Sequence, residues 1–182
     1  MLSPAAAEVR DPERLMSLGP GMPNLALRPA LARLSADGLF DEPVRRLDFA
    51  EACLAGLWLW HDFLDESHKI SQELTGRDGS YWHAILHRRE GDFGNSKYWL
   101  RRVGDHPIFA ALADAVRPLA ENAPASARFL GDHRSWDPFA FVDLCERGIR
   151  DGDELEAVCR RIQKTEWEIL FDHDAREAVR SA

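Results

Sequence analysis

The sequence predicts an all-α protein, built as a single-domain helical bundle of about six to eight helices that include short ones. Three observations lead to this fold class. Apolar residues recur at helical spacing, and helix starts and ends are marked by capping residues, early prolines and glycines. No segment shows the sustained alternation with β-branched residues that is typical of strands. A chain of 182 residues also fits one domain with its own core.

The first 40 residues are predicted to form a partly irregular N-terminal arm, and residues 41–182 the helical domain. The arm contains a Gly/Pro-rich loop, "SLGPGMPN" at 17–24, and then a short helix within 28–38. We expect this arm either to be partly mobile or to wrap the body of the protein.

The first long helix is predicted to begin at Asp41, an N-cap, with Pro43 in its first turn, and to end near Leu74. It is either one helix or two helices joined by a kink. The segment "TGRDG" at 75–79 then interrupts the chain. Further helices are expected from Ser80 to Gly91, from Asn95 to Gly104, from Asp105 past a kink or end at Pro118, from Asp137 to Gly148, and from about Asp153 to Val179.

Composition excludes several classes of function. A net charge of −8 argues against an extended nucleic-acid footprint. The cysteines, Cys53, Cys145 and Cys159, are scattered, which argues against a disulfide framework or a thiolate zinc site and suits the cytoplasm. The N-terminus has no apolar secretory core, and the most apolar stretch, 52–60, is too short to span a bilayer. We therefore expect no membrane partner.

Charge is distributed unevenly along the chain. Residues 77–106 carry six basic and four acidic side chains, a net charge of +2, whereas the segments on either side each carry −5. This basic island in an acidic protein predicts attraction for a small anion rather than for a long polyanion.

Two polar triplets are predicted to lie on helix faces. His61, Asp65 and His68 share one face because residues four and seven apart are nearly superimposed on a helix. In the next helix His83, His87 and Glu90 repeat this spacing. The short break at 75–79 makes the two helices antiparallel neighbours, so the triplets are expected to meet.

Three interpretations of these triplets remain open. They can form a buried hydrogen-bond network in which imidazoles and carboxylates satisfy one another. They can bind a divalent metal, Zn²⁺, Fe²⁺, Mn²⁺ or Ni²⁺, through His68, His83, His87 and Asp65. They can also supply general acid–base catalysis through His83, His87 and Glu90. The metalloprotease signature is absent, since no glutamate follows the first histidine of HxxxH.

The arginine-rich residues that follow are candidates for ligand binding. Asn95, Tyr98 and Arg102 lie on one helix face, and Arg88 offers a further planar guanidinium for phosphate or carboxylate. The alternative is that the arginines form structural ion pairs and the aromatic residues belong to the core. Weaker signals, interpreted mainly as helix surface, core or loop, come from Gln163, Glu166, Trp167, His173 and His133.

The strings "SYWHAILHRREGDFGNSKYWLRRVGDHPIF", "LDESHKISQEL" and "WDPFAFVDLCE" resemble those of a family of uncharacterised bacterial and fungal proteins. The resemblance covers roughly residues 50–170. It implies that residues 61–106 form one structural unit, and it transfers no activity.

Together these observations support two hypotheses. The first is a protein with a His/Glu/Arg-lined pocket that binds a small anionic metabolite, through a divalent metal or without one, and hydrolyses or isomerises it. The second is a non-catalytic ligand sensor or structural protein in which the same residues form a packing network. A homo-oligomer is compatible with both.

Overall fold

The computed structural model describes residues 1–131 and 135–181, and within these ranges it contains helices and no strands. The helices are α1 (Pro4–Val9), α2 (Arg28–Leu31), α3 (Leu47–Trp60), α4 (Leu64–Ser71), α5 (Arg77–Glu90), α6 (Phe93–Val103), α7 (Phe109–Glu121), α8 (Pro138–Asp151) and α9 (Asp153–Val179). Two short 3₁₀ turns, Ala36–Gly38 and Arg128–Gly131, connect them. The predicted all-α fold is confirmed.

The predicted long helix over 41–74 is two helices, α3 and α4. The break falls at His61, Asp62 and Phe63, where Asp62 adopts a left-handed backbone conformation with φ of 64°. The prediction that a helix begins at Asp41 is wrong, because α3 begins at Leu47. Consequently His61 does not share a helix with Asp65 and His68.

Several other helix ends also differ from prediction. Helix α5 begins at Arg77 rather than Ser80, and α7 begins at Phe109, well after Asp105. Pro118 lies inside α7 without ending it. Asp137 caps α8 as predicted, with its carboxylate accepting from two backbone N–H groups at 3.0 Å each.

Large aromatic residues fill the centre of the bundle, where α9 packs against α3, α7 and α8, and α5 packs against α3, α4 and α6. Trp60, Trp82 and Trp167 are almost completely buried. The indole N–H of Trp167 donates to the Gly56 carbonyl at 2.9 Å. A Cβ at Gly56 would lie 2.8 Å from the Trp82 ring, so this position needs glycine for α3 and α5 to approach.

The N-terminal arm packs on the body. Leu2 forms an antiparallel bridge with Phe40. Arg160 donates to the Met16 carbonyl at 2.8 Å, and Gln163 donates to the Ser17 carbonyl at 2.9 Å. Of the two alternatives for the arm, the structure shows the wrapped one. Within the described residues, no helix combines the length and the apolar character that crossing a membrane requires.

Candidate metal site

Three histidine rings from two helices form a compact cluster, which we call the histidine cluster: His68 of α4, and His83 and His87 of α5. Each ring offers a nitrogen, and these three nitrogens lie within 4.8 Å of one another. The His68 ring centroid is 4.7 Å from that of His83 and 5.4 Å from that of His87. The packing of α4 against α5 therefore brings together three of the four histidines that the spacing predicted would meet.

His83 occupies the centre of the histidine cluster and is only 2% exposed. Neither of its ring nitrogens has a hydrogen-bond partner among the described residues. Its ring stacks on the indole of Trp99 from α6, with 3.9 Å between centroids. Burial, reinforced by repulsion from His87 and His68, lowers the pKa of His83 to about 3. The ring is therefore neutral at pH 7, with a free lone pair.

His87 is oriented by polar neighbours on both sides. Its Nδ1 lies 2.8 Å from a carboxylate oxygen of Glu90, one turn further along α5. Because a carboxylate only accepts, Nδ1 carries the proton and the lone pair is on Nε2. The Asn95 amide N–H donates to that Nε2 at 3.1 Å, so a metal at Nε2 would replace this hydrogen bond. A carboxylate on the far nitrogen of an imidazole is the usual support for a metal-binding histidine.

Two members of the predicted triplets lie outside the histidine cluster. His61 is buried at the end of α3, and its Nε2 lies 2.6 Å from the Val9 carbonyl oxygen. It therefore holds the N-terminal arm. Asp65 of α4 is exposed and lines a separate surface cavity that also contains Arg28 and Glu66.

The structure places Arg88 in a buried ion pair. It is 1% exposed, and its guanidinium contacts both carboxylate oxygens of Glu166 on α9. The Tyr81 hydroxyl donates to the same carboxylate at 2.9 Å. These contacts match the alternative that Arg88 forms a structural ion pair. Glu166, Gln163 and Trp167 are all buried, so none of them lies on the helix surface.

The remaining candidate ligand-binding residues lie along α6. Asn95 contacts His87, as described above. Tyr98 is 50% exposed, and its ring meets that of Trp99 edge-on at 5.6 Å. The Arg102 guanidinium lies 5.0 Å from the centroid of the same indole. Tyr98 and Arg102 are thus linked to the histidine cluster through Trp99.

A second group that could hold a metal, comprising Asp78, His106 and His173, was not predicted as a unit. Behind it, Asp174 is completely buried and accepts from the Trp82 indole at 2.7 Å. Burial, reinforced by the nearby Asp78, raises the pKa of Asp174 well above its usual value. Its three residues come from α5, from the connection between α6 and α7, and from α9. Because they are far apart in the sequence, their spacing does not predict that they meet. His133 lies outside the described residues.

No family model, no curated protein and no solved structure matches this chain. The resemblance to uncharacterised bacterial and fungal proteins stays a prediction.

Proposed function

We propose that the protein binds a divalent transition metal at His68, His83 and His87, and uses that metal to bind a small anion. The observation that carries the proposal is the central ring of His83, which is buried, neutral and without a hydrogen-bond partner among the described residues. Buried polar atoms are nearly always paired. A metal ion would accept the lone pair that the neutral His83 ring leaves free.

A self-satisfied hydrogen-bond network explains the histidine cluster less well. Such a network would pair the ring nitrogens of its central member, yet both nitrogens of His83 lack a hydrogen-bond partner among the described residues. The arginines behave differently, since Arg88 and Arg89 both contact buried carboxylates, those of Glu166 and Asp62. Arg88 and Arg89 therefore support the fold, whereas the histidine cluster is available for a ligand.

The donor set favours zinc over harder cations. Three imidazole ligands suit Zn²⁺ and leave a fourth position for water or another ligand. Glu90 would act on this site indirectly, by fixing the His87 tautomer and raising its basicity. His68 is half-buried, so the histidine cluster is reached from its side on α4.

The open coordination position determines what the site can do. A metal held by the three histidines would supply a nucleophilic water at neutral pH, or would polarise an oxygen of an anionic ligand for hydrolysis or isomerisation. Asn95 stands beside His87, and Tyr98 and Arg102 follow at the exposed end of α6. Arg102, which lies over the Trp99 indole beside His83, would attract a carboxylate or phosphate bound to that metal.

Zinc titration of chelator-treated protein, prepared without a polyhistidine tag, tests the proposal. We expect His87→Ala to bind one equivalent of Zn²⁺ fewer than the wild type. Glu90→Gln should retain the site but weaken its affinity about 10- to 100-fold. Isothermal titration calorimetry, with a competing chelator for tight binding, measures both quantities.

Asp65→Ala is the matched control, because it removes a carboxylate from the same helix as His68 but from outside the histidine cluster. It should bind zinc like the wild type. The proposal is wrong if His87→Ala keeps the wild-type number of zinc equivalents, or if the wild type binds none.

A further inference from the structure

A cleft on another side of the bundle contains its own set of metal-binding side chains. Asp78 lies in the first turn of α5, His106 precedes α7, and His173 lies in α9. The Nε2 atom of His106 is 3.0 Å from an Asp78 carboxylate oxygen, and the Nε2 atom of His173 is 3.5 Å from that same oxygen. Two imidazoles and one carboxylate thus converge on one point from three parts of the chain.

All three side chains line the same cavity, which measures about 350 Å³. His106 is 3% exposed, whereas the side chains of Asp78 and His173 are 15% and 18% exposed. The convergence point is therefore at the floor of the cleft, where it is shielded but reachable.

Both neighbours of the group hold it in place. Asp174 lies next to Asp78 on the buried side, and the Trp82 indole N–H donates to one oxygen of Asp174 at 2.7 Å. The Ile108 N–H donates to His106 Nδ1 at 3.4 Å, which is a long and weak hydrogen bond. A shift of the ring proton to Nδ1 would break this bond at little cost.

Arginines surround the upper part of this cleft. Arg46, Arg77 and Arg180 line it together with the three candidate ligands. Glu177 pairs with Arg46 at 2.6 Å and with Arg180 at 3.0 Å, whereas Arg77 donates to the Asp105 carbonyl at 3.0 Å and forms no ion pair among the described residues. The cationic side chains outnumber the carboxylates at the mouth, which favours an anion above the floor.

We propose that Asp78, His106 and His173 form a second divalent-metal site, separate from the histidine cluster, whose open coordination positions face the arginine-lined cleft. Two histidines and one carboxylate are the ligand set of many Fe²⁺ and Zn²⁺ sites that keep positions open for a ligand. An anionic oxygen donor, such as a carboxylate or phosphate, is the class of ligand that the cleft would add to the metal.

Zinc stoichiometry in chelator-treated full-length protein tests this second site. We expect His173→Ala to bind one equivalent of Zn²⁺ fewer than the wild type while the affinity of the remaining site is unchanged. The double variant His87→Ala/His173→Ala should bind none. Inorganic phosphate should raise the apparent zinc affinity of His87→Ala and have no such effect on that variant once Arg77 is also changed to Ala.

Arg176→Ala is the control, since this exposed arginine lies in α9 close to His173 but outside the cleft. Circular dichroism checks that each variant folds, and Asp78→Asn, which preserves size, replaces His173→Ala if that variant does not. The inference is overturned if these variants keep the wild-type number of zinc equivalents. Loss of zinc in His87→Ala alone tests only the histidine cluster, so the two proposals fail independently.

Discussion

The surroundings of His83 favour a role in ligand binding over a purely stabilising role. Its nitrogens are removed from water without gaining a partner among the described residues, and its ring is packed between other rings. Each unpaired buried polar atom costs about 1–3 kcal/mol. An apolar side chain of similar volume would avoid this cost, so the metal-free protein should be no less stable without the imidazole.

We therefore predict that His83→Leu leaves the metal-free protein as stable as the wild type, or raises its free energy of unfolding by about 1 kcal/mol. The same variant should bind one zinc equivalent fewer. Urea unfolding in the presence of a chelator measures the first effect. A loss of more than about 2 kcal/mol would mean that the imidazole makes a stabilising polar interaction, which argues for the packing network.

The pH dependence of unfolding gives a second measurement on the same variant. His83 is neutral in the folded state down to a pKa of about 3, whereas in the unfolded chain it takes up a proton near pH 6.5. The unfolded state thus binds more protons between these values, so stability contributed by this residue falls as pH decreases from 6.5 to 3. The decline should be shallower in His83→Leu than in the wild type.

Residue spacing predicted the meeting of His68 with His83 and His87 because helical periodicity and a short antiparallel connection are local properties. It could not predict the surroundings of Arg88. Arg88 follows His87 immediately, yet it turns towards Glu166, which is 78 residues away in the chain. Which of two adjacent polar side chains faces a partner depends on tertiary packing, and periodicity contains no information about that.

Between elements, the buried contact of Arg88 with Glu166 connects α5 to α9. Both side chains are at most 1% exposed, and the Arg88 guanidinium also lies 4.6 Å from the Phe141 ring centroid of α8. Removing one member of such a pair leaves a buried charge without compensation, whereas removing both does not.

We expect Arg88→Met to lower the free energy of unfolding by about 3–5 kcal/mol, and the double variant Arg88→Met/Glu166→Gln to recover a large part of this loss. Urea unfolding of the two single variants and the double variant gives the coupling between them. Zinc stoichiometry should not change in any folded variant. Loss of a zinc equivalent in folded Arg88→Met would instead return Arg88 to the ligand-binding role that the sequence suggested.

Helix boundaries show the same division between local and distant causes. Asp137 was predicted correctly because its carboxylate caps α8 through neighbouring N–H groups. The conformation of the region around Asp41 was predicted wrongly. Here the N–H groups of Arg45 and Arg46 donate to the Ala178 carbonyl at the end of α9, at 2.8 and 3.0 Å. That contact keeps the segment before α3 out of a helix, and the sequence near Asp41 does not reveal it.

At the scale of the whole molecule, Asp62 connects the N-terminal arm to the bundle. It is 4% exposed and contacts Arg14 of the arm and Arg89 of α5. Arg89 also donates to the carbonyls of Gly19 at 3.1 Å and Pro20 at 3.2 Å. One buried carboxylate therefore neutralises two of the cations that hold the arm against the body.

We predict that Asp62→Asn lowers the free energy of unfolding by about 3 kcal/mol, because Arg89 stays buried without its counter-charge. Asparagine tolerates the left-handed conformation of this position, so the variant changes charge and not backbone strain. Hydrogen exchange should show faster opening of amides in residues 14–24 than in α5 or α9.

Glu66→Gln is the control, since it removes a partly exposed ion pair with Arg28 of the same arm, and should cost less than about 1 kcal/mol. If Asp62→Asn costs no more than Glu66→Gln, the arm is held by its apolar contacts, and the buried charge network does not determine its attachment.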